Sequence, residues 1–143
     1  MGWRRCLCMN IDQQLDLLDT IELMEHSKYH KRWYIEDISR LIRTPILLNQ
    51  YKLYRKEEKP VCFTSWATLT PDTAHSFNTR THKLQPEDWN AGKQLWFIDF
   101  IAPYGNVIKY VRDLHKVHPN SVGHLSRTYG TDHVQRIGSY KNV

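Results

Sequence analysis

Cysteine is scarce in this chain, and long apolar runs are missing. Cys6, Cys8 and Cys62 make up the whole cysteine content and show no paired CxxC spacing. This pattern predicts reduced thiols in a cytoplasmic protein rather than a disulfide framework. No apolar stretch approaches the roughly 20 residues that cross a bilayer, so we expect no stable membrane insertion. The basic start lacks the apolar segment of a secretory signal.

Motifs for nucleotides, nucleic acids and metals are also missing. The chain has neither GxGxxG nor a P-loop, so Gly105 is interpreted as a turn glycine or as part of a phosphate-attracting helix N-terminus. No RNP-like or helix-turn-helix signature accompanies the aromatic residues near lysines and arginines, so we expect no nucleic-acid partner. His115 and His118 have H-x-x-H spacing without a completing ligand, so we expect no metal. We interpret them, with His124 and His133, as solvated or helix-end histidines.

What is present fits a small globular domain. The 143 residues are 41% hydrophobic and 24% charged, with a formal net charge of +5. The modest positive charge favours an acidic partner without identifying one. The sequence shows no internal repeat and no low-complexity linker. We predict an N-terminal extension over residues 1–10 and a single domain over residues 11–143.

Hydrophobic periodicity predicts helices in the first third of the chain. A helix is expected over residues 11–26, with Ser27 capping a short second helix through SKYHKRW. Another helix is expected to stop before Pro45. The apolar face of the first helix is predicted to comprise Ile11, Leu15, Leu17, Leu18, Ile21 and Met24.

Strands dominate the rest of the predicted structure. We predict an antiparallel hairpin formed by residues 46–55 and 61–69 around the turn KEEKP. We also predict a central strand over residues 94–101. Residues 71–90 are ambiguous, apart from a short helix start at Pro86. A helix is expected over 106–118, with Val107, Ile108, Val111, Leu114 and His118 on one face. Short strands are expected around 124–125 and 133–137. The order indicates a mixed α/β sheet packed by helices.

The central strand WFIDFIAPYG carries one carboxylate among apolar residues. Alternation places Phe97, Asp99 and Ile101 on one face and Trp96, Ile98 and Phe100 on the other. An ionised aspartate in such a strand needs a partner. Asp99 either orients the imidazole of His30 for proton transfer or pairs with an arginine, with His30 a surface histidine. The residue types alone favour the second interpretation.

Four ordered blocks resemble the RTX-toxin-activating lysine acyltransferases, the HlyC-like family. They are Ser27, His30 and Trp33 in S-x-x-H-x-x-W, then TSWATL at 64–69, EDWNAG at 87–92 and WFIDFIAPYG at 96–105. The tail TDHVQRI also resembles the family's tail. The chain departs from the family pattern at Lys28-Tyr29, before the histidine, and is shorter than is usual for the family.

The resemblance implies an α/β (α+β) fold of GNAT type, with a mixed, mostly antiparallel sheet flanked by helices. It implies a bacterial cytoplasmic enzyme that moves a fatty acyl group from acyl-carrier protein to internal lysines of an RTX protoxin, without a cofactor. The family's catalytic residues fall on His30 and Asp99, and its serine on Ser27.

Several alternatives stay open at this stage. His30 can serve as a base or, through an acyl-imidazole, as the nucleophile. We take Trp33, Trp66 and Gly105 as substrate-binding candidates, and a homodimer is a possible assembly. A catalytically silent member would instead only bind acyl-carrier protein or a toxin segment.

Overall fold

The computed structural model describes residues 8–119, 121–129 and 134–141. Five α-helices and five strands are assigned within these residues, with a π-helical turn at Ser39–Arg43 and a 3₁₀ turn at Pro86–Asp88. The helices are α1 Ile11–Glu25, α2 Ile35–Ile38, α3 Thr44–Leu47, α4 Pro71–Asn78 and α5 Val107–Val117. The strands are β1 Tyr51–Lys56, β2 Lys59–Leu69, β3 Gln94–Ile101, β4 Val122–Tyr129 and β5 Val134–Lys141.

The strands form one sheet in the order β1-β2-β3-β4-β5 within the described residues. β1 pairs with β2, and β4 with β5, in antiparallel fashion, whereas β3 pairs with β4 in parallel. The mixed α/β class is therefore confirmed, and β3 is central as predicted. The GNAT-type relationship stays a prediction. Of the predicted tail strand, residue 133 lies outside the described residues.

The chain divides into two compact units. The first comprises Met1–Ser65 and Phe100–Gly105, and the second comprises Trp66–Asp99 and Asn106–Val143. The prediction of one domain over residues 11–143 is not tested by this division and stays a prediction.

The core of the first unit is built from α1, the helical run after it, β2 and the end of β3. Its buried members are Leu23, Met24, Ile42, Ile46, Phe63 and Ile101. The predicted apolar face of α1 is partly wrong, because Ile11, Leu15 and Leu18 are all at least 50% exposed. The helix instead buries Gln13, whose side-chain amide donates to the Ile46 carbonyl at 3.0 Å. A polar residue with its hydrogen bonds satisfied can occupy such a position at little cost.

Helical structure continues through Pro45, which the sequence analysis had placed beyond a helix end. Residues 35–47 run as α2, the π-helical turn and α3 without a break. The Thr44 N–H donates to the Ser39 carbonyl, five residues back. This wider turn precedes Pro45, which lacks an N–H and sits in the first turn of α3, where proline is tolerated. The predicted strand 46–55 is therefore wrong at its start, since β1 begins at Tyr51.

The β1–β2 hairpin is tied to α1 by polar contacts. Arg55 pairs with Asp16 at 2.5 Å and with Asp19 at 2.8 Å. The Tyr51 hydroxyl donates to Asp16, and burial together with that contact raises the pKa of Tyr51. These contacts fix the strand against the helix that leads into the candidate site.

The segment after β2 forms part of the second unit and is built around close backbone contacts. Thr70 caps α4, since its hydroxyl accepts from the Thr73 N–H at 3.2 Å. The Gly92 N–H donates to the Thr68 carbonyl at 3.0 Å. A Cβ on Gly92 would overlap the backbone of Leu69 and Thr70. Position 92 therefore requires glycine, because any larger residue would clash with this backbone.

Helix α5 confirms the predicted span, and its predicted apolar face is right at Leu114 but wrong at Ile108. Tyr110 and Leu114 are buried, whereas Ile108 is 70% exposed. Tyr110, Leu114 and His118 are spaced by four residues and therefore share a face of the helix. Across the part of the chain that the structure describes, no helix is both long and apolar enough to cross a membrane.

Candidate active site

Ser27 and His30 form the first element of the candidate site. They lie just after α1, where the predicted short helix is replaced by turns: the N–H groups of His30 and Lys31 both donate to the Ser27 carbonyl, at 3.2 and 3.0 Å. The Ser27 Oγ lies 2.5 Å from the His30 Nδ1. Ser27 is 7% exposed, so little water competes for this hydrogen bond. The turn thus places a serine and a histidine in direct contact.

Trp33 completes this local cluster. Its ring lies 4.7 Å from the His30 ring, centroid to centroid, with an interplanar angle of 50°. Trp33 also packs against the core of the first unit. The structure therefore gives Trp33 a direct contact with His30, and its proposed contact with substrate stays a prediction.

The hydrogen bond to Ser27 constrains the chemistry of His30. A neutral imidazole carries one proton on two nitrogens, and the partner of each nitrogen sets where that proton sits. If Nδ1 donates its proton to the Ser27 oxygen, Nε2 carries the lone pair that can accept a proton. The geometry therefore makes Ser27 a residue that can set the tautomer of His30.

Asp99 lies where the parallel pairing of β3 and β4 has ended. That pairing joins Leu95 with Gly123, Trp96 with His124 and Phe97 with Leu125. β3 continues beyond it to Ile101. Among the described residues, the parallel register contains no pair after Phe97, so the backbone of β3 around Asp99 lies outside this parallel ladder. Asp99 is half-buried.

His30 and Asp99 belong to different compact units. The prediction that Asp99 orients His30 is therefore untested and stays a prediction. The partner of His30 Nδ1 that the structure does describe is Ser27, which the sequence analysis named as a candidate together with His30 and Asp99.

An aromatic group in the second unit was missed by the sequence analysis. The ring of His118 lies 4.5 Å from that of Trp66 and 6.0 Å from that of Phe97, with near-perpendicular planes of 79° and 70°. Burial lowers the pKa of His118. The predicted helix-end position is correct, but the side chain is half-buried rather than solvated. Its spacing of four residues from Leu114, on the apolar face of α5, was the signal for this burial.

Gly105 ends the loop that follows β3. Its φ of +86° lies in the left-handed region, which glycine adopts without strain. A Cβ there would meet nothing within 4 Å. The turn alone accounts for glycine at this position, and a role in substrate binding stays a prediction.

The remaining polar candidates show no metal-binding arrangement. Among the residues that the structure describes, no three histidine, cysteine or acidic side chains come together as metal ligands would. Cys8 and Cys62 are free thiols, as predicted, whereas Cys6 lies outside the described residues. Burial raises the pKa of the Cys62 thiol to about 12, so Cys62 is a structural thiol rather than a nucleophile.

Comparison with known proteins gives the family. The sequence profile of the RTX toxin acyltransferase family matches residues 11–141. The chain belongs to this family.

Three relatives show how far the RTX toxin acyltransferase likeness extends. The RTX-III toxin-activating lysine-acyltransferase ApxIIC of Actinobacillus pleuropneumoniae is 37% identical over 75% of this chain and 62% of its own length. The protein-lysine myristoyltransferase HlyC of Escherichia coli is 30% identical over 92% and 78%, respectively. The protein-lysine palmitoyltransferase CyaC of Bordetella bronchiseptica is 34% identical over 83% and 65%. The chain thus spans less than two thirds of the first and third relatives.

Two blocks of the RTX toxin acyltransferase pattern have distinct physical roles in this structure. The turn at 27–33 holds the serine–histidine contact, whereas Gly92 in the block at 87–92 allows close backbone packing. The matching blocks therefore contain both a serine–histidine contact and a glycine that close backbone packing requires.

Proposed function

We propose that this protein is a protein-lysine acyltransferase that activates an RTX protoxin. It takes a fatty acyl group from acyl-carrier protein and transfers it to the ε-amine of internal lysines, in the bacterial cytoplasm. Family membership supports this proposal, because the named relatives are lysine acyltransferases.

The reaction requires a neutral amine. A lysine ε-amine has a pKa near 10.4, so it is almost wholly protonated at neutral pH. After losing that proton to a base, the nitrogen attacks the thioester carbonyl. A C–N bond forms, the C–S bond breaks, and the carrier's thiolate leaves and takes up a proton. The products are the acylated lysine and free carrier thiol.

The observation that carries the proposal is the contact between Ser27 Oγ and His30 Nδ1 at 2.5 Å. With Nδ1 protonated and bound to Ser27, Nε2 is the nitrogen that accepts the lysine's proton. In the alternative chemistry, the same nitrogen attacks the thioester first and the acyl-imidazole then passes its acyl group to lysine. Both routes use the same tautomer of His30.

We propose for Asp99 the role that the resemblance to the family implies. Its carboxylate orients the imidazole of His30 and stabilises the imidazolium formed during transfer.

The central test measures transfer of a radiolabelled acyl group from acyl-carrier protein to a cognate protoxin. We expect His30→Ala to abolish labelling and Asp99→Asn to reduce it by at least about tenfold, as expected for loss of a positioned acid–base group. His75→Ala is the control, because His75 is exposed on α4. Equal labelling by wild type and His30→Ala would refute the catalytic assignment. Carrier binding without any labelling by wild type would support the silent alternative.

A second test addresses carrier docking. Acyl-carrier protein is acidic as a class, and Lys109 and Lys116 are exposed on α5, seven residues apart on one face. We expect Lys109→Glu/Lys116→Glu to raise KM for the acylated carrier, more strongly at low salt. Lys83→Glu/Lys93→Glu makes the same charge change at exposed positions and serves as the control. Equal effects of the two double variants would argue against docking on α5.

A further inference from the structure

A cavity lies where helix α1 meets the β1–β2 hairpin, within the first compact unit. Its volume of about 320 Å³ is near the lower end of the range for ligand pockets, about 300–1,000 Å³. Its apolar wall is formed by Leu23, Pro60, Val61 and the ring of Tyr104, and Tyr104 is 59% exposed. The cavity therefore suits one or two side chains of a protein ligand that approaches from the surface.

The cavity adjoins the turn that follows α1. The Leu23 carbonyl accepts from the His26 N–H, and the Met24 carbonyl accepts from the Ser27 N–H, both at 3.1 Å. The ring of His26 lies 6.0 Å from that of Tyr104, centroid to centroid. A ligand seated in the cavity therefore lies beside the turn that holds the serine–histidine contact.

Helix α1 exposes an apolar stripe that leads to this cavity. Ile11, Leu15 and Leu18 are 66%, 50% and 63% exposed. Spacings of four and three residues place them on one face of the helix. Glu22 continues that face by one more turn, and its side chain lines the cavity. Single exposed apolar residues are common, but an aligned set beside a cavity indicates a docking surface. We call the stripe, Glu22 and the cavity the α1 surface.

The charge of α1 indicates which partner fits this surface. The helix contains five carboxylates and no lysine or arginine, although the whole chain carries a formal net charge of +5. Two of the five pair with Arg55, whereas Glu22 and Glu25 are exposed on the face of the apolar stripe. The hairpin lysines Lys56 and Lys59 offset the carboxylates inside the cavity, so the negative charge is concentrated on the helix. The complementary partner is therefore basic and amphipathic, unlike an acidic carrier protein.

We propose that the α1 surface docks the acyl acceptor, as a lysine-bearing amphipathic segment of the protein that is acylated. The segment packs its apolar side chains on the stripe and in the cavity, and its basic residues face Glu22 and Glu25. This inference rests on the proposed function, because it assumes that the partner is an acyl acceptor. Docking here brings a lysine beside the turn that carries His30. The two substrates are thus recognised by surfaces of opposite charge, which keeps each from occupying the other's surface.

The first test measures binding without acyl transfer. The probes are two labelled amphipathic peptides with the same leucine face, whose polar face carries lysine in one and glutamate in the other. By fluorescence anisotropy with the full chain, we expect wild type to bind the lysine peptide at least about tenfold more tightly, and the difference to shrink at high salt. Glu22→Lys/Glu25→Lys should abolish this preference. Leu15→Gln/Leu18→Gln should weaken binding of the lysine peptide by about tenfold.

The matched controls change charge and apolar surface elsewhere on the chain. Glu36→Lys/Glu87→Lys makes the same charge change at exposed positions, and Ile35→Gln/Ile108→Gln removes two exposed apolar side chains. Both controls should bind the lysine peptide as wild type does. Thermal unfolding by circular dichroism identifies any variant that fails to fold, and the peptide preference of wild type stays decisive in that case.

Turnover separates docking from chemistry. With a cognate protoxin, Glu22→Lys/Glu25→Lys should raise KM for the protoxin by about tenfold and leave kcat and KM for the acylated carrier unchanged. Lys109→Glu/Lys116→Glu should show the reverse, with a raised KM for the carrier alone.

Three results would overturn the inference. The first is equal binding of both peptides by wild type, and the second is wild-type binding of the lysine peptide by the folded α1 variants. The third is a wild-type dimer that Leu15→Gln/Leu18→Gln dissociates without any effect on peptide binding, since the surface then holds a second copy of the chain. Peptide binding needs no acyl transfer, so an absence of protoxin labelling by wild type would count against the proposed function and leave the binding result standing.

Discussion

Removing the Ser27 hydroxyl tests whether its hydrogen bond holds His30 in the tautomer that can accept a proton at Nε2. In Ser27→Ala, the imidazole loses the partner that lies 2.5 Å from Nδ1, and both neutral tautomers become accessible. A hydrogen bond of this kind contributes about 0.5–1.5 kcal/mol net. If that free energy is used to hold the reactive tautomer, kcat should fall roughly two- to tenfold.

The tautomer itself is measured by ¹⁵N NMR of the histidine rings. In wild type we expect Nδ1 of His30 to carry the proton and Nε2 to show the shift of an unprotonated nitrogen. In Ser27→Ala both nitrogens should move toward averaged values. The NMR experiment needs no acyl transfer, so it tests the geometry even if the proposed function is wrong.

The matched control is Ser39→Ala, which removes an exposed serine hydroxyl from the π-helical turn. It should leave kcat and the ring shifts of His30 unchanged. The reasoning is refuted if Ser27→Ala, folded as wild type, shows the wild-type tautomer and the wild-type kcat. A fall in kcat without a change of tautomer would assign Ser27 to substrate binding or to the oxyanion instead.

Three further predictions concern stability. Glu57 and Glu58 form the hairpin turn with φ of 51° and 67°, so Glu57→Asn/Glu58→Gly should raise the free energy of unfolding by about 1 kcal/mol, measured by urea denaturation. Gly92→Ala should lower it by about 1–3 kcal/mol, because the new Cβ meets backbone that cannot move aside. Because burial lowers the pKa of His118, the unfolded state takes up the proton first, and stability should fall as the pH drops below about 6.5. His118→Phe should show less of this fall when both proteins are denatured at several pH values.

Each of these stability predictions has its own control. Glu57→Gln/Glu58→Gln removes the same charges without easing the backbone, and an equal gain would attribute the effect to charge. Asn90→Ala changes an exposed neighbour of Gly92 and should have little effect. His75→Phe alters an exposed histidine and should keep the wild-type pH dependence. A parallel loss of stability in wild type and His118→Phe would contradict the role assigned to burial.

Local patterns predicted most of the elements. Helix α1, the β1–β2 hairpin, the central strand β3 and helix α5 all follow from spacing and turn residues, because local periodicity reflects local backbone geometry. The errors arose where contacts between residues far apart in the chain, or an irregular helical turn, determine the local structure. Gln13 is buried because a carbonyl of α3 accepts from it, and the helix continues through Pro45 because a π-helical turn precedes it.

The same distinction between local sequence pattern and tertiary packing applies to the candidate site. The resemblance in the sequence named Ser27 and His30 as candidates, but the turn that brings their side chains together replaces the short helix predicted there. The sequence alone determined that Asp99 lies in a central apolar strand. Only the tertiary structure showed that β3 pairs with β4 in parallel from Leu95 to Phe97 and that His118 packs against Trp66. Strand register and helix docking depend on the packing of residues far apart in the chain, which no local pattern encodes.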